Sequence, residues 1–277
     1  MNAAQGVCLV VGMAAVAGCS ALPGADKNAA AAQAATPVVV YAAGSLRDAL
    51  TEVAAEYEAR TGQPIALTFG ASGLLRGRLE KGEPAHVFAS ADTEHPERLA
   101  ALGSWKPPVV FVRNSLCALV QPGLNVTPDQ LLTSLLRPDV RLGTSTPKAD
   151  PAGDYAWALF AKAENASPGA RAKLEAKALP LTGGPASPQP PAGRNVYGWV
   201  MEQQQADVFL TYCTNAVVAA RQVPGLQVVS VPPLLQVGAA YGLTVRADAP
   251  AAAQAFARAV LDAPAQVVFA RHGFQSP

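Results

Sequence analysis

The sequence predicts an α/β fold whose sheets are mainly parallel and covered by helices. One observation is the alternation of short apolar runs with segments of helical periodicity, which begins with the β-branched run Pro37–Ala42. A second is the small residues that separate the early strands from their helices, as in Gly44–Ser45 and Gly70–Gly73. Such alternation is typical of parallel strands joined by helices that pack on the sheet.

Each element is predicted from its own pattern, in chain order. After the first strand, apolar residues recur at helical spacing from Leu46 to Tyr57, and Gly62 ends that helix. The remaining predicted strands are apolar runs at 65–69, 87–89, 109–112, 116–120, 141–144, 207–212, 226–231 and 241–245. The remaining predicted helices lie at 74–80, 96–102, 131–136, 150–163, 196–202, 215–221, 250–261 and 264–272. The Pro/Gly-rich stretch Leu181–Gly193 is predicted to be irregular.

The composition allows one large or two modest domains and gives no electrostatic indication of a partner. The chain has 277 residues, of which 50% are hydrophobic, so a sizeable core can form without metals or disulfide bonds. Lys and Arg number 21 against 20 Asp and Glu, which leaves a formal charge of +1. Such a balance gives no reason to expect nucleic acid or an anionic membrane surface as a partner.

The N-terminal residues are typical of an exported protein. Val7–Ala17 is apolar but too short to span a membrane, which favours an export signal over residues 1–18. Such signals normally begin with positive charge, whereas Met1–Gly6 contains no Lys or Arg. The Ala-rich stretch 19–36 is predicted to be a flexible tether, so the folded part begins near Pro37.

The cysteines have different expected roles. Val16–Cys19 resembles the lipobox of bacterial lipoproteins, in which the cysteine becomes the acylated first residue, so Cys19 is the predicted membrane anchor. Cys8 lies inside the export signal, which leaves Cys117 and Cys213 as the pair in the folded part. An oxidising compartment would permit a disulfide bond, but a buried free cysteine is at least as common in such apolar runs. The sequence leaves both possibilities open.

Three turns stand where a strand or loop meets the start of a helix: Ser45, Ser72 with Gly73, and Pro151–Gly153. The first N–H groups of a helix lack intrahelical acceptors and carry partial positive charge, which makes helix starts anion sites. Each turn alone is better explained by ordinary helix capping. Because such turns gather at the carboxyl ends of the strands in open α/β sheets, their combination predicts one shared cleft.

Neutral donors are expected to dominate this cleft. Lys and Arg are absent from the turns themselves, apart from Arg47 and Arg76 further into the helices. A fully ionised oxyanion needs only donors, so hydroxyl and amide groups suffice. A protonated oxyanion would also need an acceptor.

The order and spacing of several segments resemble the periplasmic molybdate-binding protein family. The resemblance extends from about Val38 to Phe274. It is carried by Tyr41–Leu46, Phe69–Gly73, Gly82–Asp92, Asn114–Leu116, Asp150–Tyr155 and Arg271–Phe274.

This resemblance implies a type II periplasmic binding protein fold, in which two α/β lobes close over a ligand. The first lobe would comprise residues 37–116 together with 239–277, and the second residues 117–238. The two crossover strands between the lobes would lie near Leu116 and Tyr241.

The resemblance also implies the ligand contacts. Ser45 and Ser72 correspond to the oxyanion-binding serines of the first lobe. In the second lobe, Ala152 corresponds to a backbone amide donor and Tyr212 to a hydroxyl donor. These four groups would surround the oxyanion when the lobes close.

A fifth contact and three departures from the family pattern bear on the ligand. The fifth contact is a backbone amide that falls on Asn195 or Val196, and Val196 is taken as the site residue. His86 stands where the family usually has Asp, the loop Pro180–Arg194 is longer than expected, and Cys213–Asn215 replaces smaller residues. These changes leave the identity of the ligand open.

The function implied is that of a monomeric, extracytoplasmic solute-binding protein. It would capture molybdate or tungstate and deliver it to the permease of an ABC importer. No cofactor, metal cation or nucleic acid is expected. Contact with a membrane is expected only through the lipid anchor. The alternative within this class is a receptor for another oxyanion or a small organic acid.

A second alternative is an exported serine hydrolase that uses Ser45 or Ser72. The sequence argues against it, because neither serine lies in a G-x-S-x-G turn. The histidines His86, His95 and His272 also lie outside any recognisable catalytic or metal-binding motif. No catalytic residue is therefore predicted.

Overall fold

Nine strands and ten helices form residues 35–277, the part of the chain that the computed structural model describes. The strands are β1 (Val38–Ala43), β2 (Ile65–Gly70), β3 (Val87–Ser90), β4 (Val109–Val120), β5 (Leu142–Ser145), β6 (Ala178–Thr182), β7 (Val208–Tyr212), β8 (Gln227–Ser230) and β9 (Gly238–Val245). The helices are α1 (Arg47–Thr61), α2 (Ser72–Glu80), α3 (Glu94–Ala101), α4 (Leu131–Leu136), α5 (Pro151–Ala166), α6 (Ala170–Lys177), α7 (Val196–Glu202), α8 (Cys213–Gln222), α9 (Ala251–Leu261) and α10 (Ala263–Arg271). Short 3-10 turns lie at Gly44–Leu46 and Pro128–Gln130.

The long strand β4 belongs to two sheets. Its first part, up to Ser115, pairs with β9 in a first sheet of order β2-β1-β3-β9-β4. From Leu116 onward it pairs with β7 and β8 in a second sheet, which continues through β5 to β6. The chain therefore enters the second sheet at Leu116, and it returns through residues 231–237, just ahead of β9.

One side chain ties these two connections together. The Gln236 amide accepts a hydrogen bond from the Leu116 N–H at 3.0 Å and donates one to the Leu116 carbonyl at 3.1 Å. The return segment is thereby fixed to β4 at the residue where β4 changes sheets.

The pairing directions confirm the predicted α/β class. β1 runs parallel to β2 and β3, and β5 runs parallel to β6 and β7. All of the antiparallel pairings involve β4 or β9, the strands beside the two connections. The parallel strands are joined by helices, as the alternation in the sequence predicts.

The core of the first sheet shows why these residues form these elements. Five of the six residues of β1 are buried, as expected of a strand covered on both faces. Helix α1 buries one face of small and apolar residues against this sheet. Tyr57 in α1 packs edge-on against Phe256 in α9, with ring centroids 5.2 Å apart. This contact joins the first and the ninth helix over one core.

Three elements differ from those predicted. The runs 109–112 and 116–120 are parts of the single strand β4. Helix α6 was not predicted, since it is rich in charge and buries only Ala170 and Leu174. Strand β6 was also missed, and it contains Pro180, which lacks an N–H and is tolerated because β6 lies at the edge of the sheet.

Cys117 and Cys213 form a disulfide bond, which decides the question that the sequence left open. The bond joins β4 to the first residue of α8 and so fixes the residue that follows Tyr212. The export signal, Cys19 and nearly all of the tether lie outside the described residues. No helix within residues 35–277 is both long enough and apolar enough to cross a membrane.

Candidate functional site

A cavity of about 830 Å³ is lined by residues from both sheets. Four of the five predicted ligand contacts line it: Ser45, Ser72, Val196 and Tyr212. Ser45, Ser72 and Tyr212 lie at or just after the carboxyl ends of strands, as ligand-binding residues do in open α/β sheets. Ala152 is fully buried and does not itself line the cavity, although its neighbour Asp150 does.

Ser45 lies on the 3-10 turn that follows β1. Its Oγ is 2.9 Å from the hydroxyl of Tyr241, which is fully buried and also accepts a hydrogen bond from Asn114 Nδ2. Burial raises the pKa of Tyr241 well above its usual value, so this residue keeps its proton. When Tyr241 donates to Ser45, the Ser45 hydroxyl hydrogen is free for a ligand in the cavity.

Ser72 is the first residue of α2 and is completely buried. Its Oγ accepts a hydrogen bond from the Ala91 N–H at 3.1 Å. Because the oxygen already accepts, the hydroxyl hydrogen remains as a donor. Ser72 therefore has the geometry of a preoriented donor at the wall of the cavity.

The next residue, Gly73, brings the two sides of the cavity into contact. Its N–H donates to the Ala149 carbonyl at 2.8 Å. A Cβ atom at this position would lie 2.4 Å from the Lys148 carbonyl oxygen. Only glycine allows this approach between the start of α2 and the segment that precedes α5.

Tyr212 ends β7 and reaches across to the opposite side. Its hydroxyl donates to the Ala91 carbonyl at 3.2 Å. The ring packs on Tyr241, with centroids 5.5 Å apart, and on Tyr155, with centroids 6.1 Å apart. Burial raises the pKa of Tyr212 well above its usual value, so its hydroxyl keeps its proton, and a ligand would have to replace the Ala91 carbonyl as the acceptor of that proton.

The geometry around α7 favours Val196 over Asn195 for the fifth contact. The Asn195 N–H already donates to Gln222 Oε1 at 2.7 Å. The Asn195 side chain caps the helix by accepting from the N–H groups of Tyr197 and Gly198, each at 3.0 Å. Val196 is the first residue of the helix, and its N–H has no acceptor within the helix.

Ala152 differs from the other predicted contacts. Its N–H donates to Asp150 Oδ1 at 3.1 Å, because Asp150 caps the N-terminus of α5. Burial raises the pKa of Asp150 to about 6, although its hydrogen bonds with Ala152 and Ser145 act in the opposite direction. A carboxylate therefore lines the cavity at the position where an amide donor was expected.

Asp150 is the site residue that sequence reasoning missed. The residue was recognised as part of a motif but not as part of the site. The sequence offered one indication of its role, because Asp150 is an acidic residue directly before a helix start that was proposed to bind an anion. Its surroundings depend on distant residues: a Cβ atom on Gly183 would lie 2.5 Å from Asp150 Oδ2.

Three arginines also line the cavity among the residues that the structure describes: Arg47, Arg78 and Arg194. The Arg47 guanidinium lies 4.6 Å from the centre of the Phe69 ring. Arg78 stacks on Tyr41 at 4.8 Å and pairs with Glu83 at 2.8 Å. The lining also includes Pro188–Gly193, from the stretch that was predicted to be irregular.

The histidines do not form a nucleophile–base pair with either serine. His86 Nδ1 accepts from the Val39 N–H at 3.0 Å, and His272 Nε2 lies 2.7 Å from a Glu52 oxygen. His95 is buried beside Asp92, and burial lowers its pKa. Ser45 and Ser72 hydrogen-bond to a tyrosine and a backbone amide instead.

Curated relatives of this chain include molybdate-binding proteins. An uncharacterised protein, PM1146 of Pasteurella multocida, is 39% identical over 209 residues, covering 74% of this chain and 85% of that protein. The molybdate-binding protein ModA of Mycobacterium tuberculosis is 30% identical over 161 residues, covering 52% of this chain and 58% of that protein.

Solved structures with the same fold bind different anions. The periplasmic molybdate-binding protein of Azotobacter vinelandii superposes with a TM-score of 0.70 at 19% identity, covering 87% of this chain and 99% of that chain. The sulfate-binding protein SubI of Mycobacterium tuberculosis gives a TM-score of 0.71 at 20% identity, covering 87% of each chain. AfuA of Actinobacillus pleuropneumoniae, with fructose-6-phosphate bound, gives 0.64 at 15% identity, covering 86% of this chain and 82% of that chain.

These likenesses confirm the type II periplasmic binding protein fold and the resemblance to molybdate-binding proteins. The family match extends over residues 38–275, which is nearly all of the described part. The chain therefore belongs to the family of bacterial extracellular solute-binding proteins.

Proposed function

We propose that this solute-binding protein captures molybdate or tungstate between its two lobes and delivers it to the permease of an ABC importer. The observation that supports this most is the cavity itself, whose lining brings Ser45 and Ser72, which follow strands of the first sheet, together with Val196 and Tyr212 from the side of the second. The proposed contacts are the hydroxyls of Ser45, Ser72 and Tyr212 and the amides of Ala152 and Val196. The lobes are proposed as residues 37–116 with 239–277, and 117–238.

Hydroxyl and amide donors suit a fully ionised oxyanion. Each hydrogen bond to a charged ligand contributes about 1.5–3 kcal/mol, so a few of them account for tight binding without a cationic side chain. The nearby arginines support this choice, because Arg78 is already paired with Glu83 and Arg47 lies over Phe69.

The proposal extends to location and assembly. The family is extracellular, and we expect the chain to be exported by its N-terminal residues and acylated at Cys19. We expect a monomer, as two connected lobes supply all of the proposed contacts. Mass spectrometry of the membrane-associated protein would test the acylation, since an unmodified Cys19 contradicts it.

The cavity favours a second candidate, a small phosphorylated or carboxylated organic molecule. A tetrahedral oxyanion needs on the order of 100 Å³, taking about 30 Å³ for each water-sized oxygen. The cavity of about 830 Å³ is several times larger. The volume that an oxyanion leaves unfilled would hold the organic portion of such a molecule.

A thermal-shift screen separates the candidates. The purified protein is heated with molybdate, tungstate, sulfate, phosphate, fructose-6-phosphate and simple carboxylates. A ligand that binds only the folded state adds about 2.7 kcal/mol of stability at a concentration 100 times its Kd. We expect molybdate and tungstate to give the largest shifts. A larger shift with the sugar phosphate favours the second candidate, and no shift with any anion contradicts the proposal.

The same protein tests the hydrolase alternative. The family and the fold of this chain are those of solute-binding proteins and not of enzymes. We therefore expect no hydrolysis of generic ester substrates. Turnover that disappears in the Ser45→Ala variant would establish the alternative.

A further inference from the structure

Asp150 is a carboxyl group within a cavity that is otherwise suited to an anion. It lines the same cavity as Ser45, Ser72 and Tyr212. It also holds the Ala152 N–H, one of the donors that the bound oxyanion is expected to use. A ligand that reaches Ala152 therefore comes into hydrogen-bonding range of Asp150.

An ionised Asp150 and a negatively charged oxyanion within hydrogen-bonding range repel each other, and nearby cations do not relieve the repulsion. None of the ion pairs within residues 35–277 includes Asp150. The charged groups that act on it most are Asp92 and Asp154, both acidic. In water-poor surroundings such repulsion is strong, so one of the two partners must be protonated.

We propose that Asp150 shares one proton with the bound oxyanion, so that a single O–H···O hydrogen bond joins the carboxyl group to a ligand oxygen. With a fully ionised oxyanion, the proton comes from solvent and resides on Asp150. With an oxyanion that carries its own proton, such as monohydrogen phosphate, Asp150 remains ionised and accepts that proton in a hydrogen bond. Asp150 thus determines which protonation state of the ligand binds. This inference rests on the proposed function, because it requires an oxyanion in the cavity.

The surroundings of Asp150 fit this role. Apart from Asp92 and Asp154, the side chains that interact with it are neutral hydroxyls: Ser145 at the end of β5, Tyr197 in α7 and Tyr212 in β7. Gly183 leaves room for the carboxyl group where a larger residue would displace it. The pKa of Asp150, about 6, places its protonation within reach of ordinary solution conditions.

The test is the pH dependence of binding by the wild type, Asp150→Asn and Asp154→Asn. Asparagine has nearly the same shape and also caps helices well, so the first variant should fold normally. Asp154 is a matched control: it lies on the same helix near Asp92 and His95 but does not line the cavity. The probe is molybdate, titrated by calorimetry between about pH 6 and 9.

We expect the wild-type Kd for molybdate to rise with pH, and to rise about tenfold for each pH unit above about pH 7, where the free carboxyl group is ionised and binding takes up one proton. Calorimetry in two buffers with different ionisation enthalpies should show an uptake of about one proton. Asp150→Asn should remove both effects, and Asp154→Asn should retain them. Monohydrogen phosphate, if it binds, should lose affinity in Asp150→Asn.

Two results overturn the inference alone: a pH-independent molybdate Kd in the wild type, or a pH dependence that persists in Asp150→Asn. A pH dependence that Asp154→Asn removes equally would also overturn it, since the effect would then belong to the surrounding acidic groups. Failure of every variant to bind any oxyanion at any pH instead contradicts the proposed function, and this inference with it.

Discussion

The starts of helices α2 and α5 face the same cavity but differ in what they offer a ligand. At α2 the N-cap is Ala71, which makes no side-chain capping bond, and Ser72 follows with a free hydroxyl hydrogen. At α5 the N-cap is Asp150, whose carboxyl group occupies the Ala152 N–H. One helix start presents a donor, whereas the other is already satisfied by its own chain.

This difference shows that a strand, a small residue and a helix start do not by themselves make an anion site. The decisive feature is the side chain at the N-cap, because a carboxylate there competes with a ligand for the same amide. The two sides of the cavity should therefore respond differently to mutation and to pH.

The largest expected effect concerns the side that contains α5. Replacing both Cys117 and Cys213 by Ala opens a disulfide-closed loop whose ends are 96 residues apart. We expect the free energy of unfolding to fall by about 4 kcal/mol, because the unfolded chain regains its conformational freedom. Urea denaturation measures this, and reductant should lower the wild type to the level of the variant. Equal stability of the two proteins contradicts the prediction.

On the α2 side, Ser45→Ala and Ser72→Ala should each weaken molybdate binding by about 1.5–3 kcal/mol, since each removes a donor to a charged ligand. Ser72→Ala should also lower stability by about 1–3 kcal/mol, because the buried Ala91 N–H loses its acceptor. Ser104→Ala, on the exposed surface, is the control. Calorimetry and urea denaturation separate the two effects. Unchanged affinity in both variants would refute the site assignment.

Asp150→Asn should stabilise the ligand-free protein at neutral pH. The pKa of Asp150 is raised from 3.8 to about 6, so the folded state binds this proton more tightly than the unfolded state. The free energy of unfolding therefore falls as pH rises between these values. At pH above about 6 the variant should be more stable by about 1–3 kcal/mol. This advantage should vanish below about pH 4, and its persistence there would point to another cause.

The smallest expected effect tests the contact between the two sides. Gly73→Ala places a Cβ atom against the Lys148 carbonyl and should separate α2 from the segment before α5, weakening ligand binding about tenfold. Gly77→Ala on the same helix is the control, since a Cβ atom there meets nothing within 4 Å. It should leave affinity unchanged and raise stability by about 0.5–1 kcal/mol. Equal affinity in both variants would show that this contact is dispensable.

Much of the fold was predictable because its strands are buried runs and its helices have one apolar face. Helix α6 was not, since only Ala170 and Leu174 carry its contact with the core. The disulfide bond also needed the structure: it depends on β4 pairing with β7, which brings Cys117 close to the residue after Tyr212.

The candidate site was predictable to the extent that it depends on local sequence. Ser45 and Ser72 stand in short motifs next to recognisable strands. The position of Asp150 depends instead on Gly183, a residue distant in sequence, and its pKa depends on burial. Local sequence patterns carry no information about the position of Asp150 or about its burial.

The two hydrogen bonds between Gln236 and Leu116 affect how the molecule can bend. Within residues 35–277, the backbone passes between the sheets only at Leu116 and at 231–237, and one amide group joins the two passages. Any rotation of one proposed lobe against the other must bend the backbone at these paired passages. If the proposed lobes open to release a ligand, we expect the release rate to depend on Gln236, which does not line the cavity.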